Sequence, residues 1–223
     1  MKITKITRQK RKQDRYSVIV DGSYAFSISA NDLIKENVAT GDEISSERIE
    51  DLKLKAGVSL LLYNSIIFLG SRPHSELEVN RYLKRKIYKN EELNKLELPK
   101  KLSILYEVIR YLKKNKYIDD KGFAEWISSQ RLSQKLPKGR IFIKQELAQK
   151  GIDPEISDQI IKAIPDEDEK DRAVQAAKKK LANLSEANQN PIILKQKILK
   201  YLMGRGFEYT TASSAVDSIL TNP

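Results

Sequence analysis

A short pattern occurs twice in this chain at a fixed spacing, and it leaves few folds open. Ile143, Leu147, Gly151 and Ile152 recur 55 residues later as Ile198, Leu202, Gly206 and Phe207. A looser copy precedes them: Leu77, Val79 and Leu83 recur 64 residues later as Ile141, Ile143 and Leu147. Apolar residues four apart share one face of a helix, and a glycine just past the last of them suits the left-handed residue that closes a helix. A chain that repeats such a helix is built of small helical units, each too thin to bury its apolar face alone. Function is then expected in a surface and not in a chemical site.

The 223 residues suffice for one large or two to three small domains. Only 9 Gly and 7 Pro are present, too few for a chain of many tight β-turns. There is no Cys, which excludes disulfides and thiolate metal sites. His74 is the sole histidine, so no metal cluster of imidazoles can form and any catalytic triad would have to use it. The longest apolar run, Val58 to Leu69, is interrupted by Tyr63, Asn64 and Ser65 and falls short of the roughly 18 residues that cross a bilayer. The N-terminus lacks the apolar core of a signal peptide. A cytoplasmic protein without membrane, metal or cofactor is expected.

Charge narrows the partner. The chain carries a formal +11, and residues 56–118 hold 13 Lys and Arg against 6 acids. Residues 1–15 add seven basic residues and one acid. Two basic zones of this kind point to a polyanion, with a merely solvated basic surface as the alternative.

Local signals place the elements. Tyr16 to Val20, Asp21-Gly22-Ser23 and Tyr24 to Ile28 read as a β-hairpin, because Asp-Gly supplies the positive φ angles of a tight turn; Ile3 to Ile6 suggests a further short strand. A short helix from Asn31 is expected to end at Thr40-Gly41. From Ser46 onward the periodicity is helical. Ser75 with Glu78 forms a capping box, and Leu102, Leu105, Ile109 and Leu112 predict a one-sided apolar stripe. Asp119-Asp120 opens a helix with Phe123, Trp126 and Ile127 inward, ended by Pro137 and Gly139. Asp153-Pro154 places a capping side chain before a proline at the first helical position, and Asn190-Pro191 starts a further helix. The acid run from Asp166 to Asp171 resembles a metal site, but acids at a helix start are ordinary dipole partners.

The resulting expectation is a mainly α fold: three tandem three-helix repeats in an elongated curved stack, preceded by a small N-terminal β-hairpin region. The boundaries read 1–45 for the hairpin extension with its short helix, then 46–117, 118–165 and 166–223 for the repeats. On the middle helices, Lys84, Arg85, Lys86, Lys144, Lys150, Lys195, Lys200 and Arg205 can project away from the Leu/Ile face and would form a recurring basic surface if the repeats stack in register. Arg8, Lys10, Arg11 and Lys12 could contact phosphates or could blunt a sheet edge.

These residues resemble the RecX regulatory family. The likeness is strongest from Asp119 to Ile152: Asp-Asp-x-x-Phe-Ala, Arg131 after the Trp-Ile pair, Gly139, Ile143, Glu146-Leu147 and Lys150-Gly151-Ile152. Arg72-Pro-x-Ser75-x-x-Glu78 with Leu83 resembles the family's first repeat, and Leu202-x-x-Arg205-Gly206-Phe207 its third. Residues 1–55 resemble the N-terminal extension of long members from Gram-positive bacteria. Two positions depart: Ile87 stands where members often carry Gly, and Phe142 where they often carry a basic residue.

The resemblance implies a monomeric, non-enzymatic modulator of the RecA recombinase, active in recombination, DNA repair and the SOS response. It would lie in the groove of the RecA–DNA filament, inhibit ATP hydrolysis and strand exchange, and contact single- and double-stranded DNA. Arg131, Lys138 and Arg140 join the middle-helix cations as candidates for RecA or DNA contact. The other reading is a stand-alone DNA- or RNA-binding helical-repeat protein. An enzyme is a third class with little support in the residues.

Overall fold

A computed structural model of the chain describes residues 1–10, 14–184 and 190–221. Three strands come first: β1 (Ile3–Arg8), β2 (Arg15–Val20) and β3 (Ser23–Ser29). Helices follow: α1 (Ala30–Lys35), α2 (Ser46–Leu69), α3 (Glu76–Lys89), α4 (Glu91–Asn94), α5 (Leu98–Lys114), α6 (Asp120–Leu132), α7 (Arg140–Gln149), α8 (Pro154–Lys162), α9 (Asp166–Ala182), α10 (Pro191–Gly204) and α11 (Tyr209–Thr221). The chain divides into two compact units, Met1–Ile118 and a second beginning at Asp119. The fold is mainly helical, with three-helix repeats behind a small antiparallel sheet.

In the first unit the strands lie in the order β1-β2-β3, all antiparallel. Asp21 and Gly22 take φ of 48° and 79°, the positive values that a two-residue turn requires. The first strand runs past the expected Ile6 to Arg8. The sheet buries Ile3, Val18, Phe26 and Ile28 against Ile49, Leu52 and Ala56 on the first half of α2. The second half of α2 gives Val58 and Leu61 to another core with Val79 and Leu83 of α3 and Val108 and Leu112 of α5. One 24-residue helix therefore serves two cores. That double role makes α2 long and apolar enough to cross a bilayer, a property the interruption at Tyr63–Ser65 hid in the sequence; here Leu52, Ala56 and Leu61 are buried within the unit. Glu92 of α4 clasps the sheet: it accepts from the Ser27 hydroxyl at 3.0 Å and from the Tyr24 hydroxyl.

Several expectations for this unit need correction. Helix α1 ends at Lys35, not at Thr40-Gly41, because Asn37 takes φ of 50° and Val38 N–H closes onto the Leu33 carbonyl at 3.0 Å. The apolar stripe of α5 is displaced: Leu102 is 50% exposed, while Ile104 and Val108 are buried beside Leu105, Ile109 and Leu112. After α3 the chain inserts the single turn α4. Asn90 ends α3 and caps α4, accepting from the amides of Glu92 and Leu93 at 3.0 and 2.9 Å. His74 is buried, with its ring 3.8 Å from that of Phe68 and its Nδ1 2.7 Å from the Arg72 carbonyl oxygen; its role there is packing.

The second unit holds two cores. Phe123, Ala124, Ile127, Ile143, Leu147, Ile152 and Ile164 form one; Ala173, Ala177, Ile198, Leu202, Phe207 and Val216 belong to the other. The residue pairs shared by the repeats are among the deepest: Val79 and Leu83, Ile143 and Leu147, Ile198 and Leu202 are all within 1% of complete burial. The first position of the looser copy does not go inward: Leu77 is only half-buried and Ile141 is 42% exposed. The repeated helices α7 and α10 close identically. Gly151 and Gly206 have φ of 77° and 85°; Ile152 N–H donates to the Leu147 carbonyl at 3.0 Å and Phe207 N–H to that of Leu202 at 3.2 Å. This is the Schellman closure, which satisfies carbonyls that a helix end would otherwise orphan. The cap read from sequence at Asp153 forms at the start of α8, and the helix starts read at Asp119 and Asn190 prove to be caps too, accepting backbone amides of α6 and α10.

Helix α6 ends at Leu132, earlier than Pro137 and Gly139 suggested. The loop that follows is held by the last repeat. Arg205 Nε donates to the Pro137 carbonyl at 3.0 Å, Arg205 Nη2 to that of Leu136, and Lys179 Nζ to that of Lys135. Three successive amides then cross to the same repeat: Gly139 N–H to the Arg205 carbonyl at 3.0 Å, Arg140 N–H to Glu169 Oε1 at 2.9 Å, and Ile141 N–H to the Gly206 carbonyl at 3.0 Å. Gly139, read as a helix terminator, is instead the N-cap of α7.

Candidate binding surface

A basic surface can recruit an anion only with cations that are not already neutralised. The geometry sorts the candidates on that criterion.

Helix α3 carries its two acids, Glu76 and Glu78, in the first turn, where they suit the helix dipole. Both are engaged there: Glu78 by Arg72 at 3.0 Å and Glu76 by Lys113 of α5 at 2.8 Å. The rest of the helix presents Arg81, Lys84, Arg85, Lys86 and Lys89 with no further acid among them. Arg81, Lys84, Arg85 and Lys89 are exposed, and among the described residues none has a carboxylate within ion-pair distance. Lys86 is half-buried, with its ammonium 5.2 Å from the centre of the Tyr82 ring. Arg81 and Lys89 escaped the sequence reading; the i, i+4 series 81, 85, 89 was the available signal.

The candidate cations of the second unit are mostly committed internally. Arg131 makes a two-pronged pair with Glu146, Nε to Oε2 and Nη2 to Oε1, both at 2.6 Å, and this hydrogen-bonded carboxylate raises the guanidinium pKa. Arg140 pairs with Asp166 at 2.6 Å and donates to the Ile164 carbonyl. Lys144 pairs with Asp158 and Lys195 with Asp217, each at 2.6 Å. Arg205 is spent on the 133–138 loop. Lys150, half-buried, ends α7 beside Gly151. Lys200 is exposed on α10.

Lys138 differs from these. Burial lowers its pKa first, and the nearby charges of Arg205 and Arg131 lower it further. Its ammonium sits 3.9 Å from the centre of the Phe142 ring. A cation thus stands beside position 142 although Phe142 itself has none. In the N-terminal strip, Arg8 ends β1 and Lys10 follows it, both exposed; Arg11 and Lys12 lie outside the described residues.

The acid run at the start of α9 includes Glu169, only 3% exposed, which accepts from Arg140 N–H and from Arg172 Nη2 at 3.2 Å. It is a joint between repeats. A groove of about 790 Å³ in the first unit is lined in part by Arg15 and Asp32. Arg15 donates to the Ser27 carbonyl at 2.8 Å and Asp32 accepts from the Ser29 and Ser59 hydroxyls, so both are occupied in holding the fold.

Fold and surface together define a protein of three-helix repeats behind an N-terminal sheet, with a row of exposed, unneutralised cations on α3 among the described residues. Comparison with known proteins gives the particular family. The regulatory protein RecX N-terminal domain matches residues 1–45, the RecX second three-helix domain residues 119–160 and its third three-helix domain residues 166–216. Regulatory protein RecX of Oceanobacillus iheyensis is 31% identical over 225 residues, covering 99% of this chain and 77% of that protein. Regulatory protein RecX of Clostridium botulinum is 28% identical over 215 residues, 96% of this chain and 94% of that one. A crystal structure of regulatory protein RecX superimposes with a TM-score of 0.68 at 24% identity, over 100% of this chain and 99% of that one, and so supports the fold. RecX from Lactobacillus salivarius gives 0.59 at 23% identity over 74% of this chain. The chain belongs to the RecX family of regulatory proteins.

Proposed function

We propose that this protein binds the RecA–DNA filament and inhibits RecA ATP hydrolysis and strand exchange, and so modulates recombination and DNA repair. It acts as a monomer in the cytoplasm and by binding, without chemistry of its own. The repeats that carry this role are 46–117, 118–165 and 166–223. The observation that carries the reading is the unneutralised cation row on α3, in a family whose members are named regulatory proteins. A nucleoprotein filament offers phosphates and acidic side chains to such a row. Lys84, Arg85 and Lys86 are its first-choice contacts, then Lys200, Lys138 and Lys150. Arg131, Arg140 and Arg205 support it by holding the second unit together.

The test is single-stranded-DNA-dependent ATP hydrolysis by the cognate RecA, with this protein titrated far below RecA. Inhibition at such ratios, without a comparable effect on an unrelated DNA-dependent ATPase, is the expected result. Inhibition only once the protein coats all the DNA would instead favour the second reading, a stand-alone nucleic-acid-binding protein. The same α3 row favours that reading, because phosphates alone would satisfy it; a steep loss of DNA binding with salt is its signature.

A further inference from the structure

The cation row of α3 has aromatic company. Tyr88, one turn beyond Lys84, is 63% exposed. Lys101 of α5 lies over one face of its ring, with Nζ 5.7 Å from the ring centre, which leaves the opposite face for a base. Lys101 is itself tethered, donating to the Asn94 carbonyl at 2.7 Å. At the other end of the helix pair, Lys113 of α5 meets Glu76 of α3 at 2.8 Å. Contacts 101 to 88 and 113 to 76 make α3 and α5 antiparallel neighbours. Residues seven apart lie on one face of a helix, so Tyr106 shares the flank of Lys113 that faces α3. Tyr106 is 71% exposed, and Leu102, one turn before it, is 50% exposed. Burial of a tyrosine ring is favourable, so two rings left this open on adjacent helices, beside Lys84 and Arg85, need a reason outside the unit's own core.

We infer that the α3–α5 face is a binding site for single-stranded nucleic acid, in which unpaired bases stack on Tyr88 and Tyr106 while Lys84 and Arg85 contact the phosphates between them. The inference rests on the polyanion part of the functional reading and deepens it. A phosphate backbone alone would need only the lysines and arginines. Exposed rings interleaved with cations add affinity for bases whose faces are free, and a duplex hides those faces. Charge alone would admit acidic side chains as well as phosphates; the two open rings beside the cations select a strand with free bases, because only bases supply flat faces to stack on them.

The experiment is equilibrium binding of the full chain, followed by fluorescence anisotropy, to oligo-dT, to an abasic deoxyribose-phosphate strand of equal length, to oligo-rU and to the matching duplex. The wild-type chain should prefer oligo-dT over the abasic strand by about tenfold or more. The Tyr88→Ala, Tyr106→Ala double variant should lose that preference, falling about tenfold to a hundredfold on oligo-dT with no change on the abasic strand. Phe at both positions should restore it, since stacking needs the ring and not the hydroxyl. Lys84→Ala with Arg85→Ala should weaken both strands alike. Both tyrosines are exposed, so circular dichroism should show all variants folded. Equal wild-type affinity for oligo-dT and the abasic strand, or an equal loss on both in the tyrosine variant, overturns the stacking site. Comparison of oligo-dT with oligo-rU tells DNA from RNA as the strand bound. RecA inhibition measured on the same variants separates the two claims: its persistence alongside absent base dependence overturns the stacking site alone, and its absence alongside clear base dependence overturns only the RecA reading.

Discussion

The backbone of Gly139 lies so close to that of Gly206 that a Cβ on Gly139 would overlap the Gly206 carbonyl oxygen. The two residues belong to successive repeats of the second unit, and the amides of Gly139 and Ile141 are hydrogen-bonded across the joint. Gly139→Ala inserts a methyl where only backbone can give way. It should destabilise the second unit by about 3 kcal/mol, the upper end of the usual overpacking cost. Urea unfolding followed by circular dichroism would measure it; a change within experimental error would mean that the joint is plastic.

The same contact explains why α7 borrows a cap. With no side chain possible at Gly139, the first free amide of α7 goes to Glu169 of α9. Removing that carboxylate orphans the Arg140 amide and leaves Arg172 without its 3.2 Å partner. Glu169→Ala should therefore cost about 3 kcal/mol, and Glu169→Gln, which keeps an acceptor, about 1 kcal/mol. The ratio of the two losses in thermal unfolding is the informative quantity, since a pure charge effect would make them equal.

Lys116 closes α5 in the left-handed conformation, with φ of 57° and Tyr117 N–H on the Leu112 carbonyl at 2.9 Å. This is the closure that Gly151 and Gly206 give to α7 and α10, here made by a residue with a Cβ. Lys116→Gly removes strain worth about 1–2 kcal/mol and adds unfolded-state entropy worth somewhat less. A net gain of about 0.5–1 kcal/mol is expected, read as a rise in Tm.

The Tyr24 phenol is pushed up to about 12, first by burial and then by its hydrogen bond to Glu92. The folded state therefore holds the phenolic proton more tightly than the unfolded chain, whose tyrosines titrate near 10. The resulting stabilisation is fully present below pH 10 and disappears as pH rises through 12. Spectroscopic titration should show Tyr24 ionising late in the wild type. Glu92→Gln should bring it only part of the way back, because burial remains.

These contacts show where sequence reasoning reaches and where it stops. Asp21-Gly22, Gly151, Gly206, Asp119 and Asp153 were legible because each conformation is set within a few residues of the chain. The inward faces of the repeated helices were legible because burial follows their period. The end of α6 was not, because what holds the loop after it is Arg205, 68 residues from Pro137. Leu102 misled for a related reason: it has the spacing of a core residue, but the neighbours of α5 lie over Ile104 and Val108 instead. Among the candidate cations, spacing alone could not tell Lys84 from Arg131, since the difference lies in whether a carboxylate from another helix arrives.

That difference makes a direct prediction about two classes of cation. Arg131 and Glu146 form a half-buried, doubly hydrogen-bonded pair inside one repeat. Arg131→Ala leaves Glu146 short of its partner and should lower the stability of the second unit by about 2 kcal/mol, with little effect on the salt dependence of nucleic-acid binding. Lys84→Ala with Arg85→Ala removes exposed charge that no acid neutralises. It should leave stability within about 0.5 kcal/mol and reduce the slope of log affinity against log salt by about 2, roughly one for each phosphate that is no longer neutralised. Unfolding and DNA titrations on the same two variants decide the matter. If Arg131→Ala weakened DNA binding without loss of stability, its pairing with Glu146 would have to open on binding, and the division between structural and partner-facing cations would fail.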